Sequence, residues 1–221
     1  MNPRSTSVRI RSLAQLREAA AAGPRRRVAV AWATGAETLK ASALARETAL
    51  ADPVLVGPEP EIRSALEKMG SDPGEFEIRA SPDPASAAAT CVSLIRAGEA
   101  EILLKGSLPT AELVRAVLHP EAGLRAGRLL SDVFLFDFFR GSASRIVGIT
   151  DGGVVPRPDF EQKESILRNA VAAFRALGVD RPAVALLAAV ETVTEAFPST
   201  AEAARLARLI SDDADCACEV D

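Results

Sequence analysis

The sequence predicts an α/β protein built from parallel βαβ units in two lobes. Two observations carry that expectation. Short apolar runs alternate with helix-length stretches through the first half of the chain, and glycine, proline or a helix-capping residue punctuates most of the joins. Ser12 is placed to cap a helix over LAQLREAAAA, with Gln15 three residues on as a capping-box partner and Gly23-Pro24 as its stop. RVAVAWA (Arg27–Ala33) reads as a buried strand and is followed by a helix through Leu50. Asp52-Pro53 opens the run VLVG, closed by Gly57-Pro58. A helix from about Glu59 to Met69, a strand FEIRA and an alanine-rich helix from Asp83 to Ala97 come next. EILLKG is the fourth run, and Pro109 suits the first turn of the helix TAELVRAVL. Connections of this length imply right-handed helical crossovers between parallel strands.

The second half changes character. VFLFDFF (Val133–Phe139) and RIVGIT (Arg145–Thr150) are too close for a helical crossover, so they should pair antiparallel or belong to different layers. A long helix is expected after Asp159 as N-cap, ending at Gly178. AVALLAAV reads as a buried strand, Ser199 or Thr200 as the cap of TAEAARLARLI, and CACEV as a last strand. The segment HPEAGLRAG suggests a division into a first lobe over 1–122 and a second over 123–221.

Composition narrows the function classes. The chain has 221 residues, 48% hydrophobic and 25% charged, with a net charge of -4 and no basic block, so nucleic acid and anionic membrane surfaces are not the expected partners. No apolar run is long enough to span a bilayer. Three cysteines, Cys91, Cys216 and Cys218, do not form a disulfide framework and suit a reducing compartment, so cytoplasm is the expected location.

In open α/β sheets ligands sit beyond the carboxyl ends of strands, which directs attention to three loops. Lys105-Gly106-Ser107-Leu108-Pro109-Thr110 follows a strand and combines a cation, a glycine for close approach and two hydroxyls at a helix start. It reads either as an anion cradle or as a surface lysine before an ordinary cap; the P-loop spacing is absent. Thr150-Asp151-Gly152-Gly153 can hold a charged group or simply form an Asx turn. Glu191 after AVALLAAV is either a strand-end site carboxylate or a solvated loop residue. Ser131-Asp132 carries no signal of its own. His119 has no second histidine, so neither a metal nor a triad is expected. Cys216 and Cys218 read as buried small hydrophobes, Trp32 as packing, and Thr34-Gly35 lacks the G-x-G-x-x-G of a dinucleotide site.

Taken in order, ADPVLVG, LLKGSLPT, RAVLHPEAGLRAGRLLSDVFLFD, ITDGG, PDFEQKESILRNAV, ALGVDRPAVALLAAVETV and PSTAEAARLARL resemble the phosphate acetyltransferase and phosphate butyryltransferase family, closest to the butyryl branch, over nearly the whole chain from about Arg26. The resemblance implies a two-lobed fold similar to the isocitrate and isopropylmalate dehydrogenases and a homodimer with its site in an interlobe cleft. It also implies reversible acyl transfer between phosphate and coenzyme A, the latter as substrate, with no tightly bound cofactor and no metal. Lys105, Gly106, Ser107 and Thr110 match the family's Lys-Gly…Thr loop, Ser131 the first residue of its Ser-His pair, and Thr150, Asp151 and Glu191 its other cleft motifs; all eight are expected to bind substrate, on the picture that these loops meet in one crevice.

The chain also departs from the family. Asp132 stands where the family usually has histidine, Gly152-Gly153-Val154-Val155 replaces Ala-Ala-x-Asn, and Thr194 replaces an asparagine. The family's Gly-Pro-Leu segment, Ser-Arg motif and base aspartate follow the position matched by CACEVD, so the resemblance leads to the expectation of a C-terminally incomplete fold with impaired activity. A non-catalytic relative that binds coenzyme A or phosphate is the alternative, and a dehydrogenase of the related fold is a weaker one.

Overall fold

Continuous apolar runs become the central strands of a parallel sheet because both of their faces are covered. The computed structural model describes residues 9–141 and 143–221, which divide into two compact units, Arg17–Gly127 and Arg128–Asp221, with the residues up to Leu16 belonging to the latter. The division expected after residue 122 lies between Gly127 and Arg128 in the contacts.

The 17–127 unit carries β1 (Arg26–Ala31), β2 (Ala51–Gly57), β3 (Glu77–Ala80) and β4 (Ile102–Lys105), all parallel in the order β3-β2-β1-β4. Alternate residues of β1 face opposite layers. Val28 and Val30 join Leu55 and the helices α2 (Ala36–Glu47) and α3 (Glu59–Lys68) through Leu39, Ile62 and Leu66. Ala29 and Ala31 join Val54, Val56 and α4 (Pro84–Arg96) through Ala88, Cys91 and Leu94, with Leu113 and Ala116 of α5 (Thr110–Val117) against the same layer. Leu39, Leu55, Ile62 and Leu66 are wholly buried, each stabilising the unit by about 1.5–3 kcal/mol. Asp83 caps α4 by accepting from Ser86 N–H at 2.8 Å, as its position before the alanine run leads one to expect. Pro109 occupies the N-cap of α5 rather than its first turn.

The 128–221 unit contains the hairpin of β5 (Phe134–Arg140) and β6 (Ala143–Ile149), paired antiparallel as the short spacing requires. The sequence-predicted long helix is α6 (Phe160–Ala176): Asp159 and Gln162 form a reciprocal capping box, and Gly178 just beyond it has φ +80°, a conformation that glycine adopts without strain. α6 lies against the hairpin, since a Cβ on Gly148 would meet the Phe174 ring at 2.6 Å. Leu167 and Val171 of α6, Leu206 and Ile210 of α7 (Pro198–Ser211), and Cys216 and Cys218 form this unit's core. The helix expected to begin at Leu13 is α1 (Leu13–Ala22), with Ser12 Oγ accepting from Gln15 N–H. Its start is tied into the 128–221 unit by Leu13 N–H donating to Asp137 and Ile10 N–H donating to the Leu177 carbonyl, both at 2.9 Å.

Three further expectations are corrected. AVALLAAV is not a long strand: only β7 (Ala183–Val184) pairs, in parallel, with β8 (Glu219–Val220). The ladder ends with Leu186 N–H donating to the Asp221 carbonyl, and a strand extends only as far as a neighbour takes its N–H and C=O groups. CACEV is correspondingly strand only at its end, with Cys216 in a 3₁₀ turn over Ala214–Cys216. The N-cap of α7 is Phe197, while Thr200 sits in its first turn, exchanging hydrogen bonds with Thr194 backbone groups.

Leu55→Ala is expected to lower unfolding free energy by about 2–5 kcal/mol, because a wholly buried residue between two helical layers leaves a cavity. Urea denaturation followed by circular dichroism checks it; a shift below about 1 kcal/mol would contradict the central packing of β2.

Candidate functional site

The strand order of the 17–127 unit fixes where its loops can hold a ligand. The chain runs from β1 outward to β2 and β3, then returns across the sheet to β4 on the other side of β1. α2 therefore leaves β1 toward one layer and α5 leaves β4 toward the other, which makes the β1/β4 carboxyl ends a switch point with a crevice above them. The two loops there close on each other. Gly106 N–H donates to the Ala31 carbonyl at 2.9 Å and Ser107 N–H to the Trp32 carbonyl at 3.0 Å. A Cβ on Gly106 would lie 2.5 Å from both of those carbonyl oxygens, so only glycine permits the approach. A Cβ on Gly35 would lie 2.4 Å from Ser107 Oγ. Trp32 has φ +55°, a strained backbone for a bulky residue, and its carbonyl also accepts from Thr34 N–H at 2.9 Å.

Gly35 is the N-cap of α2 and Pro109 that of α5, and neither helix has a side-chain cap on its first-turn N–H groups. Ser107 lies between them and Thr110 opens α5, both exposed. Lys105 Nζ donates to its own loop, to the carbonyls of Gly106 at 3.3 Å and Leu108 at 3.1 Å, and has no carboxylate partner among the described residues. Two uncapped helix starts, hydroxyls and a cation without a counter-charge make this region favourable to an anion. Thr34-Gly35 carries no dinucleotide motif; the strand order together with the Gly106 approach brings it beside Ser107.

In the 128–221 unit, Ser131, Asp132, Thr150 and Asp151 come together, although Ser131-Asp132 carries no signal of its own apart from the family resemblance. Asn169 Nδ2 of α6 donates to Ser131 Oγ and to the Leu129 carbonyl, both at 2.9 Å. Thr150 Oγ1 donates to the Asp132 carbonyl, and Gly152 N–H donates to Asp132 Oδ1 at 2.7 Å. Asp151 Oδ1 accepts from Gly153, Val154 and Val155 N–H at 2.9, 2.8 and 3.3 Å. Burial pushes the Asp151 carboxyl up, but the N–H groups of Val154, Gly153 and Val155 outweigh it and hold the group below the usual carboxylate range. Its Oδ2 is buried with no hydrogen-bond partner among the described residues.

Glu191 lies exposed in an irregular segment and makes no hydrogen bond or ion pair among the described residues, so the strand-end placement expected for it does not hold. The set of eight thus divides, with Lys105, Gly106, Ser107 and Thr110 in one unit and Ser131, Thr150, Asp151 and Glu191 in the other. His119 Nδ1 accepts from Glu121 and Ala122 N–H, a local turn. Burial drives Cys91 up to about 12, and burial followed by the neighbouring Cys216 drives Cys218 up to about 11, which suits packing rather than reactivity. No group of three His, Cys, Asp or Glu residues is arranged to hold a metal among the described residues.

Gly106→Ala is expected to cost about 1–3 kcal/mol of stability, because the added methyl meets backbone rather than a movable side chain; an unchanged denaturation midpoint would contradict the close approach. The Asp151 carboxyl carbon, followed by NMR, should titrate below the ordinary aspartate value of about 3.9. Stability from this group is fully present above that ordinary value and disappears as pH falls through the lower folded value. A midpoint at or above the ordinary value would refute the backbone clasp.

Residues 81–221 match the family model described as "Phosphate acetyl/butaryl transferase". The chain is 37% identical over 186 residues to the phosphate butyryltransferase of Clostridium beijerinckii, covering 84% of this chain and 61% of that protein. It is 43% identical over 165 residues to the phosphate acetyltransferase of Rhizobium meliloti, covering 75% of this chain and 52% of the relative. The chain therefore spans between half and two thirds of the length of these relatives. Among solved structures, the branched-chain phosphotransacylase from Enterococcus faecalis superimposes with a TM-score of 0.72 at 23% identity, over 88% of this chain and 66% of that one, and shows a shared fold. With the model match covering more than half of its residues, the chain belongs to the phosphate acetyl/butyryltransferase family.

Proposed function

We propose that the chain serves reversible acyl transfer between inorganic phosphate and coenzyme A, acyl-CoA plus phosphate giving acyl phosphate plus CoA. The observation that carries the reading is the Lys105–Thr110 loop closed against Gly35 at the switch point, where two helix starts and a cation with no carboxylate partner among the described residues favour phosphate. In the reaction a thiol loses its proton, attacks the acyl carbon and expels phosphate, so phosphate must be held while oxyanion donors and a base act. Lys105 would exchange its two carbonyl partners for phosphate oxygens, with Ser107 and Thr110 adding hydroxyl donors beside the amides of α5. Ser131, Thr150, Asp151 and Glu191 are proposed for the remainder of the substrate. Asp151, held in its ionised form by three amides, is poorly suited to take the thiol proton. With no described residue assigned as base, the reading expects little turnover from these 221 residues alone.

The same proposal includes an isocitrate/isopropylmalate dehydrogenase-like two-lobed fold, a homodimer, a cytoplasmic setting, coenzyme A as substrate without a tightly bound cofactor, and no nucleic-acid or membrane partner. These rest on the sequence resemblance and composition. No helix among the described residues is long and apolar enough to cross a membrane. A second reading, a non-catalytic relative that binds phosphate or coenzyme A, is favoured by the carboxylates that occupy the amides of Gly152–Val155.

Phosphate affinity measured by calorimetry, and coenzyme A-dependent phosphate release from butyryl and acetyl phosphate, test the reading. Lys105→Ala is expected to weaken phosphate binding about 10- to 100-fold, the range of a lost hydrogen bond to a charged group. Equal affinity of variant and parent would remove the cradle, and phosphate release above the uncatalysed rate that Lys105→Ala lowers, however slow, would exclude the second reading.

A further inference from the structure

We infer that Asp132 is a positioning residue that latches the turn after β6 into a form whose backbone amides are closed to phosphate, leaving the anion to the Lys105 loop. The inference rests on the reading above, in which both loops serve an acyltransferase substrate. Four successive amides, Gly152 to Val155, follow a strand, and consecutive N–H groups of this kind ordinarily make an anion-binding concavity. Here every one has a carboxylate partner. Asp151 Oδ1 takes the last three from within the turn. The first is taken from outside it, by Asp132 Oδ1 at 2.7 Å. The contact is doubled by Thr150 Oγ1, which donates to the Asp132 carbonyl.

The latch is itself braced. Asn169 on α6 holds Leu129 and Ser131, the residues just before Asp132, with two 2.9 Å hydrogen bonds from one amide nitrogen. A continuous path therefore runs from the middle of the longest helix in the unit through Ser131 and Asp132 to Gly152. Gly152 fits the same picture, because a Cβ there would press on the Phe134 ring at 3.1 Å and lie 3.7 Å from Asp132 Oδ1. A phosphate approaching this turn would meet two carboxylates and no free amide, whereas at Lys105 it would meet a cation without a counter-charge among the described residues.

The test uses the isotopically labelled 221-residue chain. A through-hydrogen-bond coupling between Gly152 ¹⁵N and Asp132 ¹³Cγ is expected in the parent protein, and inorganic phosphate should leave the Gly152–Val155 amide signals in place. Asp132→Asn keeps an oxygen acceptor and should behave like the parent. Asp132→Ala should lose protection of the Gly152 amide from hydrogen exchange by tenfold or more and make that amide respond to phosphate. A missing coupling in the parent, or movement of the parent's Gly152–Val155 signals with phosphate, overturns the latch; neither measurement requires the alanine variant to fold. The Lys105–Thr110 signals report separately on the functional reading. If phosphate leaves them unmoved while the coupling is present, the cradle fails and the latch stands.

Discussion

The close approach of Gly106 to the ends of β1 is the contact on which the candidate anion site depends. Its N–H and that of Ser107 reach the carbonyls of Ala31 and Trp32, and the absence of a side chain lets the two backbones meet at a distance that no Cβ would tolerate. Everything near the switch point follows from this. Ser107 is carried to Gly35, α2 and α5 begin next to each other, and Lys105 is left at the end of the edge strand, its ammonium donating to two carbonyls and to no carboxylate among the described residues. The left-handed Trp32 is part of the same joint, since it turns one carbonyl to receive both Thr34 and Ser107.

The two units solve the same problem, unpaired amides beyond a strand, with opposite electrostatics. In the 17–127 unit the starts of α2 and α5 lack side-chain caps and are accompanied by a lysine. In the 128–221 unit Asp132 and Asp151 satisfy the amides internally. That difference separates a surface able to gain from an anion from one that has already made its charge-assisted bonds. Each unit also carries apolar sheet surface in the open. Ile102 and Leu104 on β4 are exposed, and so are Phe134, Phe138 and Ile149 on one face of the hairpin, with Arg145 stacked over Phe138.

Much of the fold was legible locally. The four parallel strands of the first unit, the hairpin, and the capping of α1, α4 and α6 follow from apolar runs, short spacing, and Ser12, Asp83 and Asp159 in the places where N–H groups need acceptors. AVALLAAV misled because a buried apolar run announces only that it is buried; whether it becomes a strand depends on a neighbour, and β8 offers only two residues of pairing. Of the site, the Lys105 loop and the Thr150-Asp151 turn stood out by composition, while Asp132, Asn169 and Gly35 did not, and Glu191 was placed on a strand end that does not form.

Composition and periodicity by themselves determined the α/β class, the order of most elements, the buried character of Cys216 and Cys218, and, through motifs in sequence order, the family. Those features are set by residues within a turn or two of one another, where spacing and capping chemistry act directly. Only the tertiary structure decided that β4 returns beside β1, that Gly35 meets Ser107, and that Asp132 reaches Gly152. Each of these joins groups that are distant along the chain, and it is the packing of helical layers on a sheet, or of a helix on a hairpin, that brings them within hydrogen-bonding distance.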